Sequence, residues 1–232
     1  MMARIVADWA VAAESRQDLD ARLFPQEEAV LARAGEKRRA EFTTVRALAR
    51  GALARIGVEP APILPGVKGQ PRWPAGVRGS MTHCNGYRAA VVARAADGAA
   101  VGIDAEPNAP LSGDALAAIT VGAEARHIRE LTAGAPRVHW GRMLFSAKEA
   151  VYKAWFPLTG VRIGFRDAHV TFDPESGRFA ARILRSVPEI AGAGPLDIFH
   201  GRWAADERLM VTAICIPEQQ PVSRQSHKED FS

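Results

Sequence analysis

The sequence predicts an α+β fold, and two observations carry that expectation. Short apolar runs rich in β-branched residues, bounded by turn residues, recur in both halves of the 232-residue chain. Two longer stretches, Glu36 to Ile56 and Trp140 to Phe156, have helical spacing instead. Each half thus offers strands plus one or two long helices, although there is no direct internal repeat. With 47% hydrophobic residues the chain can bury a real core, as one large domain or two small ones.

Taken in order, Ala3 to Ala13 reads as an opening strand and Glu14 to Asp20 as a loop. Pro25-Gln26-Glu27-Glu28 has the proline and acids of a first helical turn, in a short helix that Gly35 ends. A second helix runs from Glu36 to Ile56 with Gly57 as its stop. Five prolines and four glycines between Pro60 and Gly79 predict an irregular connection that walls a site. Tyr87 to Ala95 and Ala99 to Ile103 flank Ala96-Asp97-Gly98 as a β-hairpin that delivers Asp104 to a strand end. Asp114 to Leu131 reads as one helix and Trp140 to Phe156 as another. Two hairpins follow, Ala168 to Phe172 with Arg178 to Leu184, and Asp197 to Trp203 with Leu209 to Ile216. Residues 217–232 are polar and lack apolar anchors, which predicts a disordered tail.

Charge points to an anionic partner. There are 30 Lys and Arg, and the pI is 9.4, which suits a phosphorylated ligand, an acidic protein or nucleic acid. Arg39, Arg46 and Arg50 fall within about 40° of one another on the second helix, as a cationic stripe or as an ordinary solvated face. Cys84 and Cys215 have no metal-ligand spacing, and no uncharged run approaches a membrane span, so a cytoplasmic protein is expected.

The chemistry is concentrated in Val101-Gly102-Ile103-Asp104-Ala105-Glu106 and Phe145-Ser146-Ala147-Lys148-Glu149-Ala150-Val151-Tyr152-Lys153. Asp104 and Glu106 leave one face of a strand, and Glu149 and Lys153 share one face of a helix. Three converging carboxylates are costly unless a divalent cation neutralises them, and hard oxygen donors suit magnesium with substrate phosphates. Alone, Glu149 and Lys153 would be an ordinary surface pair worth about 0.2 to 0.5 kcal/mol. A lone His83 at a strand end is more often structural than catalytic.

The two segments resemble the signature motifs of the 4'-phosphopantetheinyl transferases, G-(I/V)-D-x-E and (F/W)-S-x-K-E-(A/S)-x-x-K, in the same order and near the same separation. Gly79-Ser80-Met81-Thr82-His83 resembles the upstream (S/T)-H segment, and the likeness is good from about Arg38 to Gly164. The resemblance implies a pseudo-dimer of two α+β halves with the active site in the cleft between them, as in the larger single-chain type that serves surfactin synthetase. The expected division is 1–102, 103–216 and the tail 217–232. It further implies magnesium-dependent transfer of 4'-phosphopantetheine from coenzyme A to a serine of an apo acyl or peptidyl carrier protein, releasing adenosine 3',5'-bisphosphate.

On this reading the metal ligands are Asp104, Glu106 and Glu149, with Glu149 and Lys153 catalytic. Coenzyme A is met by Arg38, for which Lys37 or Arg39 could substitute, and by Arg46, Lys68, Arg72, Thr82, His83, Asp104, Lys148 and Lys153. Several relatives carry Lys where this chain has Gln70, so Lys68 or Arg72 is the candidate replacement. A monomer without nucleic-acid or membrane partners is expected, and Trp73-Pro74 with Thr82-His83-Cys84 hints at the siderophore and actinobacterial branch. Two competitors stay open from the residues themselves. One is a magnesium-dependent nuclease or phosphodiesterase, disfavoured because Lys153 stands four residues from an acid on a helix. The other is a non-catalytic coenzyme A or carrier-protein binding module.

Overall fold

A computed structural model describes residues 1–186 and 196–218. The expected tail lies almost wholly outside the described residues; within them Pro217 ends a strand. The fold is α+β, as expected, with two sheet-based halves.

The first half is a three-stranded sheet in the order β1-β5-β4, formed by β1 (Val11–Ser15), β4 (Val77–Cys84) and β5 (Tyr87–Arg94). The short α1 (Pro25–Val30) and the 20-residue α2 (Glu36–Arg55) precede β4, with a small β2 (Leu64–Pro65) and β3 (Pro71–Arg72) ribbon between. Residues 60–76 are otherwise irregular, as their prolines dictate. Ala49, Ala52 and Leu53 of α2 pack with Ala90 and Val92 on the outer face of this sheet.

The second half is a five-stranded antiparallel sheet in the order β6-β10-β9-β8-β7. Its strands are β6 (Gly98–Pro107), β7 (Ala168–Asp173), β8 (Arg178–Ile183), β9 (Ile198–Ala205) and β10 (Leu209–Pro217). Helices α3 (Gly113–Ile119), α4 (Glu124–Gly134) and the 20-residue α5 (Trp140–Thr159) cover its outer face. Trp140, Met143, Leu144, Ala147, Val151 and Trp155 anchor that core. Gly160, at φ 66°, closes α5 in the left-handed region open to glycine.

The inner faces of the two sheets meet. Ala89, Val91 and Ala93 of β5 bury against Val101, Ile103 and Ala105 of β6 and Val211 and Ala213 of β10. Along the cleft edge β4 and β6 run side by side without a backbone ladder. The Ile103 N–H donates to the Ser80 hydroxyl (3.1 Å) and the Ala105 N–H to the Thr82 hydroxyl (3.2 Å), so two side chains satisfy groups that a neighbouring strand would otherwise pair.

Four expectations are corrected. Residues 2–4 form a 3-10 turn and β1 starts only at Val11; Ile5 and Val6 are apolar because they fill the central core. The hairpin about Ala96-Gly98 does not form: β5 pairs with β4 through the Asn85-Gly86 turn, Gly86 taking φ 74°, while β6 crosses to the other sheet and pairs with β10. Asp114 to Leu131 is two helices, broken at Gly122 with φ 55°. Gly35 precedes α2 rather than ending α1, which stops at Val30.

Candidate active site

β6 alternates as its two-residue period requires. Val101, Ile103 and Ala105 enter the central core, while Gly102, Asp104 and Glu106 face α5. Gly102 is needed for the close approach: a Cβ there would run into the Ala150 carbonyl oxygen and stand 2.7 Å from the Ala154 nitrogen. Because α5 comes this close, the Lys153 ammonium donates to Asp104 Oδ1 (2.7 Å) and to the Ile103 carbonyl (3.1 Å).

Asp104 is 5% exposed. Its Oδ1 also accepts from the Thr82 hydroxyl (3.1 Å), whereas its buried Oδ2 has no hydrogen-bond partner among the described residues. Such an orphaned carboxylate oxygen is costly unless a ligand completes it. Glu106 accepts from Arg142 Nη1 at Oε2 (3.2 Å). Burial and then the Asp104 charge push the Glu106 carboxyl up to about 7, against Arg142 and Lys153. Burial also raises Glu149, with Asp104 adding and Lys153 opposing.

Among the described residues no group of three His, Cys, Asp or Glu side chains is gathered closely enough to hold a metal ion. The donor set nevertheless fits a divalent cation chemically: one buried carboxylate oxygen lacks a partner, and burial holds the two neighbouring acids above the usual carboxylate range, an effect that a bound cation would oppose.

Glu149 and Lys153, with Tyr152 and Phe156, form one wall of a cleft of about 560 Å³ between the halves. The opposite wall is the irregular connection and β4, including Lys68, Gln70 and Trp73. A second cavity of about 350 Å³ shares Gly69, Pro71 and Met81 with the cleft and is lined by Arg38, Arg46 and His83. Arg38 Nη1 lies 3.0 Å from His83 Nε2, and His83 Nδ1 lies 3.7 Å from Glu41. Burial lowers the His83 pKa first; Arg38, Lys153 and Arg88 lower it further against Glu41. Arg46 is buried across the Phe42 ring, with its Nε donating to the Ile63 carbonyl (2.9 Å). Burial pulls it down to about 10, opposed by Glu27, 3.8 Å away, and reinforced by Arg38 and Arg50, so it stays charged at neutral pH beside a cavity whose lining holds no carboxylate.

Other expected residues stand elsewhere. Lys148 is 3% exposed, and its ammonium is fully engaged by the Ile119 carbonyl (2.6 Å), Glu124 (2.8 Å) and the Phe165 carbonyl (2.8 Å). It ties α5 to the helices beneath it and lines neither cavity, so it leaves the ligand-contact set. The Thr82 hydroxyl is engaged by Asp104 and Ala105, Lys68 lines the cleft, and Arg72 is exposed outside both cavities. Gln70 braces its loop by accepting from the Lys68 N–H (3.0 Å). The arginine stripe is paired throughout, but only Arg46 and Arg50 are withdrawn from solvent, while Arg39 stays exposed. Arg50 pairs with the fully buried Glu27 (2.9 Å) and Arg39 with Glu28. Arg142 and Glu41 escaped the sequence reading; Arg142 was within reach of it, because it lies seven residues before Glu149 on the same helix face.

Comparison with known proteins fits this arrangement. Residues 26–93 match the 4'-phosphopantetheinyl transferase N-terminal domain, and residues 100–205 match the 4'-phosphopantetheinyl transferase superfamily. The chain belongs to that superfamily and is an enzyme of the phosphopantetheinyl-transferring class. Among its relatives, 4'-phosphopantetheinyl transferase Svp of Streptomyces mobaraensis is 51% identical over 220 residues, 93% of this chain and 89% of the relative. PptT of Mycobacterium tuberculosis is 50% identical over 197 residues (83% and 86%), and Npt of Nocardia iowensis 41% over 202 (84% and 90%), both likewise 4'-phosphopantetheinyl transferases. Among the described residues no helix is long and apolar enough to cross a membrane.

Proposed function

We propose that this enzyme transfers 4'-phosphopantetheine from coenzyme A to a serine hydroxyl of an apo acyl or peptidyl carrier protein, with magnesium, releasing adenosine 3',5'-bisphosphate. The observation that carries the reading is the buried, unpartnered Asp104 Oδ2, joined through Lys153 to a cleft that continues into a cationic cavity. Arg38, Arg46 and His83 form the site for the 3'-phosphate, and the 560 Å³ cleft takes the pantetheine arm against Trp73, Tyr152 and Phe156. Lys68 stands at the cleft wall to meet the remaining phosphate charge.

Asp104, Glu106 and Glu149 would hold the magnesium, whose charge when bound neutralises the pyrophosphate and the leaving phosphate. Lys153 is fixed by the Ile103 carbonyl and Asp104, so its ammonium is preset toward oxygens that gain charge as the bond to phosphorus breaks. Glu149, on the wall of the cleft, takes the serine proton. β6 runs unbroken through positions 102 and 103, so we place the division between the halves ahead of it, at the Asp97 turn, rather than after Gly102.

Mass spectrometry of a panel of apo carrier proteins incubated with enzyme, coenzyme A and magnesium tests the reading. One phosphopantetheine added per modified serine, abolished by EDTA and restored by magnesium, is expected. Modification undiminished by EDTA would remove the metal from the scheme, and failure on every carrier would remove the acceptor class.

A further inference from the structure

Each acid of β6 meets a cation from α5, and the two encounters have the same form. Lys153 takes Asp104 at Oδ1 and leaves Oδ2 unpartnered. Arg142 takes Glu106 at Oε2 (3.2 Å), which is the one hydrogen bond the Glu106 side chain makes among the described residues, so Oε1 is left open. Arg142, Glu149 and Lys153 lie within about 40° of one another on α5, a single line facing the acids. The Arg142 guanidinium is itself anchored, since Nη2 donates to the Pro110 carbonyl (3.0 Å) in the segment that follows β6.

We propose that Arg142 is a positioning residue for the metal site: it holds one oxygen of Glu106 and thereby presents the other beside Asp104. The inference rests on the magnesium reading above and deepens it. Without the guanidinium, repulsion from Asp104 and the pull of water would both turn the Glu106 side chain away, since a glutamate has three free torsions and its backbone alone does not aim it.

A positioning role and a mere counter-charge predict opposite signs. If Arg142 only competed with the cation, removing its positive charge would tighten divalent-ion binding. If it aims Glu106, removal weakens binding although a repulsive charge has gone. Manganese titrated into the substrate-free protein, followed by electron paramagnetic resonance, reads this directly. Arg142→Met is expected to weaken manganese binding about 10-fold and Arg142→Lys less, because the ammonium keeps the charge and loses the fork that also grips Pro110. In a Glu106→Ala background Arg142→Met should have no further effect on the manganese affinity.

Tighter or unchanged binding in Arg142→Met, or a full 10-fold loss that persists in the Glu106→Ala background, would overturn the proposal. Should Arg142→Met not fold, Arg142→Lys carries the test, with wild-type affinity as the adverse result. Absence of manganese binding by the unaltered enzyme both without and with coenzyme A would instead reject the metal reading itself, so the two failures are separable.

Discussion

Helices α2 and α5 are each 20 residues long, and each lies on the outer face of its half's sheet. Their charged residues end in different conditions. On α2, Arg50 and Arg39 are answered by Glu27 and Glu28 of α1; Glu27, fully buried, also takes the Phe24 and Ile63 N–H groups (3.0 and 2.8 Å). On α5, Glu149 and Lys153 face a strand whose Asp104 keeps a buried oxygen without a partner. Charge type does not separate structure from chemistry here, but completeness of pairing does. Lys148 and Lys153 make the same point within one helix: the first is saturated by three acceptors in the interior, and the second opens onto the cleft.

Three substitutions would break or sharpen that contrast. The largest effect is expected at the unsatisfied end. Asp104→Ala should lower kcat/KM by about 10²–10³-fold or more, with a smaller fall in the thermal midpoint than the loss of Lys148 brings, because the Lys153 side chain it leaves unpaired is 26% exposed and can turn to water. Near-normal turnover at limiting magnesium would mean that the orphaned oxygen has no part in the reaction.

Lys148→Met should do the reverse. Removing one partner of a buried ion pair leaves Glu124 unpaired and costs about 3–5 kcal/mol of stability. Denaturant unfolding should register that loss while the folded fraction keeps its kcat, and a second change, Glu124→Gln, should return part of it. Intact stability with lost turnover would put Lys148 back among the phosphate contacts.

The smallest effect falls on the helix whose charges are mostly answered. Arg46→Ala should weaken coenzyme A by about 1.5–3 kcal/mol, the range of a hydrogen bond to a charged group, and weaken a dephospho analogue less. Equal losses in calorimetry would confine Arg46 to its contacts with the Ile63 carbonyl and the Phe42 ring.

The elements that position the acids were legible because they obey short periods: Asp104 and Glu106 two apart on β6, Glu149 and Lys153 four apart on α5. The pairing of β5 was not. Seven of its eight residues are buried, so no polar face distinguishes its two sides, and a turn-like Ala96-Asp97-Gly98 suggests a hairpin. The partner of β6 is instead β10, more than a hundred residues later, a choice made by burial in the central core. The true hairpin turns at Asn85-Gly86, a pair that itself favours a tight turn. The fate of Lys148 was illegible for another reason: its acceptors come from α4 and from backbone carbonyls near both ends of the second half's helical layer, and no local pattern marks a carbonyl as vacant.

The hydroxyl bridges from Ser80 and Thr82 have a mechanical consequence. Behind the site the halves share an apolar core, which acts as a spine; beside the cleft β4 and β6 are held only by side-chain bonds, those of Arg78, Ser80 and Thr82, each worth about 0.5–1.5 kcal/mol net. A book bound this way opens at its fore-edge far more cheaply than a continuous ladder would allow. Thr82, on β4, holds both the Ala105 N–H and Asp104 of β6, so any parting of the two strands pulls on that acid.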